Sequence, residues 1–254
     1  MAINVNTVYS TVLLLLNQEQ RGYMTPTEFN SIATQVQLEI FEKYSQDLNQ
    51  QLRVEQTDAD YANRIASITE KMAVFKTLGF GVYNADAGGS PARPYFTVPS
   101  NLYKIGTVAW NANNAAFPAE VEELTANAFY NIQKSDLTTP TQTYPVYLNE
   151  GNKLFVAPST IVAPPMPSSI NLEINYLRVP VSPKWNFTVG GLGQYLFVEP
   201  TAANNPSINF ELMPSEQTTV ILKILFYAGL VIEDPTVIQV AAQQVQSQEV
   251  NKKS

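Results

Sequence analysis

Apolar residues recur at steps of three and four after Thr25: Phe29, Ile32, Ala33, Val36, Ile40, Phe41, Tyr44 and Leu48. That period lays a stripe along one side of a long helix, with Gln35, Gln37, Glu39, Glu42 and Lys43 on the other side. The start of this helix is written locally. Thr25 offers a capping hydroxyl, Pro26 takes the first helical position where its missing N–H costs nothing, and Glu28 stands where a capping-box carboxylate reaches back. Met24 and Phe29 flank the cap at hydrophobic-staple spacing. A helix before it is expected from Asn4 or Asn6 to about Gln20, with Val8, Val12, Leu15 and Leu16 buried and Gly22 ending it. A third is expected from Asp58 to Lys76, carrying Tyr61, Ile65, Ile68, Met72 and Phe75, with Gly79 and Gly81 as stops.

The pattern then changes. Gly, Pro and small polar residues cluster over Gly79 to Pro94, which reads as a loop and a domain border. Beyond it, Tyr95–Val98, Tyr103–Trp110, Tyr144–Leu148, Lys153–Val156 and Asn171–Leu177 are rich in Val, Ile, Tyr and Phe and predict strands. Asn149-Glu150-Gly151-Asn152 predicts a hairpin turn, and a helix is expected over about Val121 to Gln133. Prolines crowd Ile161 to Pro214, where they stiffen loops and strand edges, and Gly190 to Gly193 read as a flexible turn. Helix returns at Pro214 to Ile232, and Asp234-Pro235 starts a last one bearing Val237, Ile238, Val240, Ala241 and Val245. The expected fold is α+β: an N-terminal antiparallel helical bundle over 1–78, a β-rich middle with one helix over 79–213, and C-terminal helices over 214–254 that pack back on the bundle and end in a polar tail.

Charge and composition narrow the chemistry. The formal charge is −7, from 22 acidic and 15 basic side chains, which disfavours a surface that grips phosphates by counterion release. Cys and His are both absent, so the usual zinc ligands, the commonest general base and every Ser-His or Cys-His pair are missing. A cysteine-free chain also fits assembly in a reducing cytoplasm. Val12–Leu16 is much shorter than the ~20 apolar residues that span a bilayer, and Lys223 interrupts the run from Val220 to Ile232. A soluble protein with no export signal and no membrane partner is expected.

Candidate chemical motifs weaken on inspection. Neither Gly79-Phe80-Gly81 nor Gly190 to Gly193 is followed by the Gly-Lys-Ser/Thr of a phosphate loop, and turns explain both clusters. Glu120, Glu122 and Glu123 would suit a divalent cation or an acid/base pair, but acidic residues at a helix start are expected there for the dipole alone. Trp110, Trp185 and Tyr176 lack interleaved Arg or Lys and read as packing. No catalytic, cofactor or metal residue is assigned, and no enzyme is expected.

Five segments in chain order carry a likeness: NQEQRGYMTPTEFNSIATQVQLEIFEKY, PSNLYKIGTVAW, SDLTTPTQTYPVYLNEGNKLFVAPST, NLEINYLRVPVSPKW and FELMPSEQTTVILKILFYAGLVIEDPTVIQVAAQQ. Together they resemble the head-to-tail connector (adaptor or ring) proteins of tailed bacteriophages, most closely the structural proteins of crAss-like, podovirus-type phages. The resemblance implies a virion protein assembled in the host cytoplasm. It would form a homo-oligomeric ring, a dodecamer, between the portal protein and other neck or tail proteins, with DNA passing through it unbound. It also implies a C-terminal portal-docking segment, placed here by position at Asp234, Val237, Ile238, Val240 and Val245. Phe29, Val36, Ile40 and Tyr44 are expected to pack within the helical bundle or against a neighbouring subunit. An acidic wall suits such a conduit, since it repels phosphate. The alternative expectation is a receptor- or glycan-binding tail module, in which Trp110, Trp185 and nearby tyrosines line an exposed groove.

Overall fold

The structure, a computed structural model, describes residues 2–18, 24–51, 59–85, 93–110, 118–158, 161, 172–232, 243–244 and 246–247. Two compact units emerge: Met1–Val74 together with Pro180–Ser254, and Phe75–Val179. The borders expected at 78/79 and 213/214 differ from these because the stretch after the third helix is already strand.

The first unit holds α1 (Val5–Gln18), α2 (Pro26–Gln51), α3 (Ala59–Ala73) and α5 (Gln217–Ile232). At the start of α2 the capping box forms. The Thr25 N–H and hydroxyl donate to Glu28 Oε2 at 2.9 and 2.8 Å, and the Glu28 N–H donates to Thr25 Oγ1 at 3.3 Å. These bonds to the ionised carboxylate hold the Glu28 pKa below its ordinary value, the Thr25 backbone N–H contributing most. Asn4 caps α1 by accepting the N–H groups of Asn6 and Thr7. The apolar stripe of α2 is inside, with Phe29, Ala33 and Val36 all fully buried. Phe29 and Val36 each contribute roughly 1.5–3 kcal/mol by leaving water, and Ala33 less. Gln37, expected on the polar side, is buried as well. Its amide donates to the Val181 carbonyl at 2.7 Å and accepts the Glu211 N–H at 3.0 Å, tying the incoming 180–212 segment to α2. Two ion pairs also bind this unit: Lys71 with the buried Glu216 at 2.8 Å, and Lys223 with Glu39, which also accepts the Tyr227 hydroxyl.

The second unit is built on β1 (Lys76–Phe80), β2 (Val82–Asn84), β3 (Tyr95–Thr97), β4 (Leu102–Trp110), β5 (Ala119–Glu123), β6 (Val146–Glu150), β7 (Lys153–Ala157) and β8 (Leu172–Arg178). Their order is β1-β8-β4-β5-β6-β7-β3-β2, with β5 and β6 parallel and the other pairs antiparallel. The two ends of that order, β1 and β2, are halves of one segment. It pairs with β8 through Phe80, bends at Gly81, whose N–H donates to the Leu172 carbonyl at 2.9 Å, and pairs with β3 from Val82. The sheet therefore nearly closes into a barrel. Its interior is filled by Phe96, Val108, Trp110, Leu154, Leu172 and Ile174, among others. α4 (Ala126–Ile132) makes the crossover from β5 to β6 and covers the outer faces of β6 and β7, where Phe129 packs with Val146, Leu148, Phe155 and Ala157. A separate two-stranded hairpin, β9 (Phe187–Val189) and β10 (Tyr195–Phe197), belongs to the first unit.

The expected α+β arrangement, with an N-terminal helical bundle ahead of a β-rich middle, is thereby corrected. The dominant element is an eight-stranded mixed sheet, near to a barrel, accompanied by five α-helices among the described residues. α5 packs against both α1 and α2, so the helices draw on both ends of the chain and make no N-terminal bundle of their own. Locally, the helix expected to reach Lys76 ends at Ala73, and the supposed stops Gly79 and Gly81 lie in or beside strands. The helix expected from Val121 begins at Ala126, after β5. Of the final helix expected from Asp234 to Val245 only Gln243 and Gln244 are described, and both are helical, while the helix end at Gly22 lies outside the described residues.

Candidate assembly surface

Phe29, Val36, Ile40 and Tyr44 lie in the interior of their unit, each no more than 6% exposed, so they pack within this chain and offer nothing to a neighbour. Asp234, Val237, Ile238, Val240 and Val245 lie outside the described residues. Trp110 is 2% exposed inside the barrel, and Trp185 is 5% exposed between Tyr9, at 4.5 Å, and Phe187, at 5.9 Å. The Trp185 indole N–H donates to Asn6 Oδ1, and its backbone exchanges two hydrogen bonds with the Asn30 side chain. Neither indole lines an exposed groove, because one fills the barrel and the other joins the hairpin base to α1.

Glu120, Glu122 and Glu123 sit on β5, not at a helix start, and all three are exposed. They border an open cleft of about 650 Å³ with Gly106, Thr107, Val108, Val121, Thr143, Tyr144 and Tyr147. Burial, and then the Glu123 carboxylate beside it, push the Tyr147 phenol well above its ordinary pKa, so it stays a neutral donor. Among the described residues no group of three or more acidic side chains converges as a metal site, and no helix is long and apolar enough to cross a membrane.

What the surface does present is apolar. On β1 and β2 the usual order is inverted, since Leu78, Phe80 and Val82 point outward at 50%, 43% and 55% exposure while Gly79 and Gly81 face in. The reason is steric. A Cβ at Gly79 would lie 2.8 Å from Tyr176 Cε1 and 2.9 Å from Pro99 Cγ; at Gly81 it would lie 3.1 Å from both Leu172 and Phe96 side-chain atoms. The inner positions have room only for hydrogen, so these three apolar side chains serve no core. On β6 and β7 the outer apolar face is covered by α4; on β1 and β2 no described residue buries it.

The hairpin carries a second bare surface. Phe187, Val189, Tyr195 and Phe197 share one face, because Phe187 pairs with Phe197 and Val189 with Tyr195. Phe187 and Phe197 stack on Trp185, which seats the base in the unit's core. Towards the turn the cover ends, and Val189 is 63% and Leu192 95% exposed. The outward face of the strip also carries Lys76 on β1 and, paired with Phe80, Glu173 of β8, and the hairpin face includes the Tyr195 phenol, so each apolar patch has a polar border suited to protein contact. The sequence matches no known protein-family model and no curated protein.

Proposed function

We propose that this chain is a structural subunit of a tailed-phage virion: a head-to-tail connector present as a closed homo-oligomeric ring between portal and tail, working through interfaces and without turnover. The observation that carries the reading is the pair of exposed apolar patches, Leu78, Phe80 and Val82 on the outward strip of β1 and β2 and Val189, Leu192 and Leu196 on the hairpin. A subunit that contacts neighbours on two sides needs two such patches, whereas a monomer seldom leaves them bare. The likeness of five ordered segments to connector proteins supplies the class, and the acidic balance suits a channel through which DNA passes unbound. Quantitative mass spectrometry of purified particles tests it. The expected result is a copy number equal to that of the portal protein, or in a small whole-number ratio to it. Absence from the particle, or a number matching the receptor-binding tail fibres, would overturn the proposal.

A further inference from the structure

We infer that the β-rich unit is the clasp of the helical unit: by folding it brings the two halves of that unit together, so that the stabilities of the two units are coupled through the chain. The helical unit is discontinuous. Its first half, Met1–Val74, and its second, Pro180–Ser254, are joined only by way of Phe75–Val179. Neither half supplies the interior alone. Ile3 bridges to Phe210, Tyr9 packs on Trp185 at 4.5 Å, and Gln37 bonds to Val181 and Glu211. Lys71 pairs with Glu216, and Glu39 with Lys223, again one from each half.

Bringing such distant halves together costs closure entropy, which grows with the logarithm of the length between them. Folding of the second unit removes that cost. Its first and last strands are neighbours: Lys76 of β1 lies opposite Leu177 of β8, and the Arg178 N–H donates to the Phe75 carbonyl at 2.9 Å. The exit is fixed as well, because the Val179 N–H donates to the Asn101 carbonyl at 2.8 Å. The chain thus enters at Phe75 and leaves at Val179 side by side. With this unit unfolded, its whole length becomes a flexible loop, and the helical unit's opening equilibrium shifts by about 10³-fold, the three-halves power of a loop of about 100 residues. Linkage makes the effect mutual: whatever steadies one unit, a bound neighbour included, steadies the other through the shared closure.

Amide hydrogen exchange read by mass spectrometry on the full chain reports α2 and β8 separately. An insert of about ten Gly and Ser residues between Val179 and Pro180 loosens the clasp and leaves every native residue in place; exchange in α2 is expected to rise about 10-fold. The same insert in the β6–β7 turn at Gly151, where φ is +65° and no atom lies within 4 Å of an added Cβ, is expected to leave α2 unchanged. Ile174→Asp puts a charge at a fully buried position of the barrel interior. It is expected to unfold β8 and to speed exchange in α2 about 10³-fold, and in that background the Val179–Pro180 insert should add nothing, since the loop is already long. Exchange in α2 that ignores Ile174→Asp would overturn the inference. So would a Val179–Pro180 insert that acts no more than the turn insert, or one that acts equally in both backgrounds.

Discussion

Closure of the sheet makes Gly79 intolerant of even a methyl group. In Gly79→Ala the new Cβ would meet Tyr176 Cε1 at 2.8 Å and Pro99 Cγ at 2.9 Å, both inside ordinary contact. Neither neighbour yields easily. The proline ring is rigid, and the tyrosine ring is anchored at its far end, where its hydroxyl donates to Asn101 Oδ1 at 2.8 Å. Overpacking of this kind costs about 1–3 kcal/mol. If the ring swings aside to relieve it, the hydrogen bond goes too, at about 1 kcal/mol. Against this stands a gain of about 0.4–1 kcal/mol from the stiffer unfolded chain. The net destabilisation expected is therefore about 1–3 kcal/mol, read from urea denaturation with the slope unchanged. Gly191→Ala is the control, since no atom lies within 4 Å of its added Cβ and its φ is ordinary. It should be neutral or slightly stabilising. A Gly79→Ala protein as stable as the wild type would refute the close approach of β1 to β8 and, with it, the reason given for the outward apolar strip.

Other consequences can be measured on the same purified chain. Thr25→Ala should cost about 1 kcal/mol through the lost cap of α2, read as a lower denaturation midpoint. Because the folded pKa of Glu28 is lowered, its contribution is present above the unfolded value of 4.5 and fades as pH falls through the folded one; the stability gap between wild type and Glu28→Gln should be clear at neutral pH and narrow as pH falls below 4.5. Lys71→Met would strip the buried Glu216 of its 2.8 Å ammonium partner and is expected to cost about 2–4 kcal/mol, discounted because the lysine is 21% exposed. Burial, chiefly, raises the phenol pKa values of Tyr44, Tyr147 and Tyr227 above the ordinary 10.0, with Glu216, Glu123 and Glu39 beside them respectively. Their preference for the neutral form stabilises fully below that value and is lost as pH rises past it. Alkaline titration should thus show tyrosinate absorbance rising together with loss of structure, and three phenols that ionise freely in a folded protein would contradict the burial.

Features governed by neighbours within four residues were legible in the sequence. The α2 cap, its stripe and the strands at Tyr95, Tyr103, Lys153 and Asn171 all follow from spacing that a short window contains. Misreadings arose where a distant partner decided. Gly79 and Gly81 punctuate a helix by their local chemistry, but Tyr176, Pro99, Leu172 and Phe96 make them the inner residues of a strand. Glu120, Val121 and Glu122 alternate as a strand does, yet their charge suggested a helix start; pairing with β4 on one side and β6 on the other settles them. Gln37 sits on the polar side of a helical wheel and is buried because the backbone at Val181 and Glu211 needs its amide. The near-barrel itself was hidden, since closure depends on one segment serving both ends of the sheet. Of the assembly surface, the Leu-Gly-Phe-Gly-Val alternation was visible as a pattern; its inverted sense appears only when the glycines are seen to face inward.

The central claim, that this chain is a ring subunit of a phage neck, is tested most directly by cryo-electron microscopy of the particle that carries it. The account predicts density for the near-barrel and its helical unit repeated as a closed ring between portal and tail. Density at the tail tip, or a neck built entirely from other chains, would contradict it.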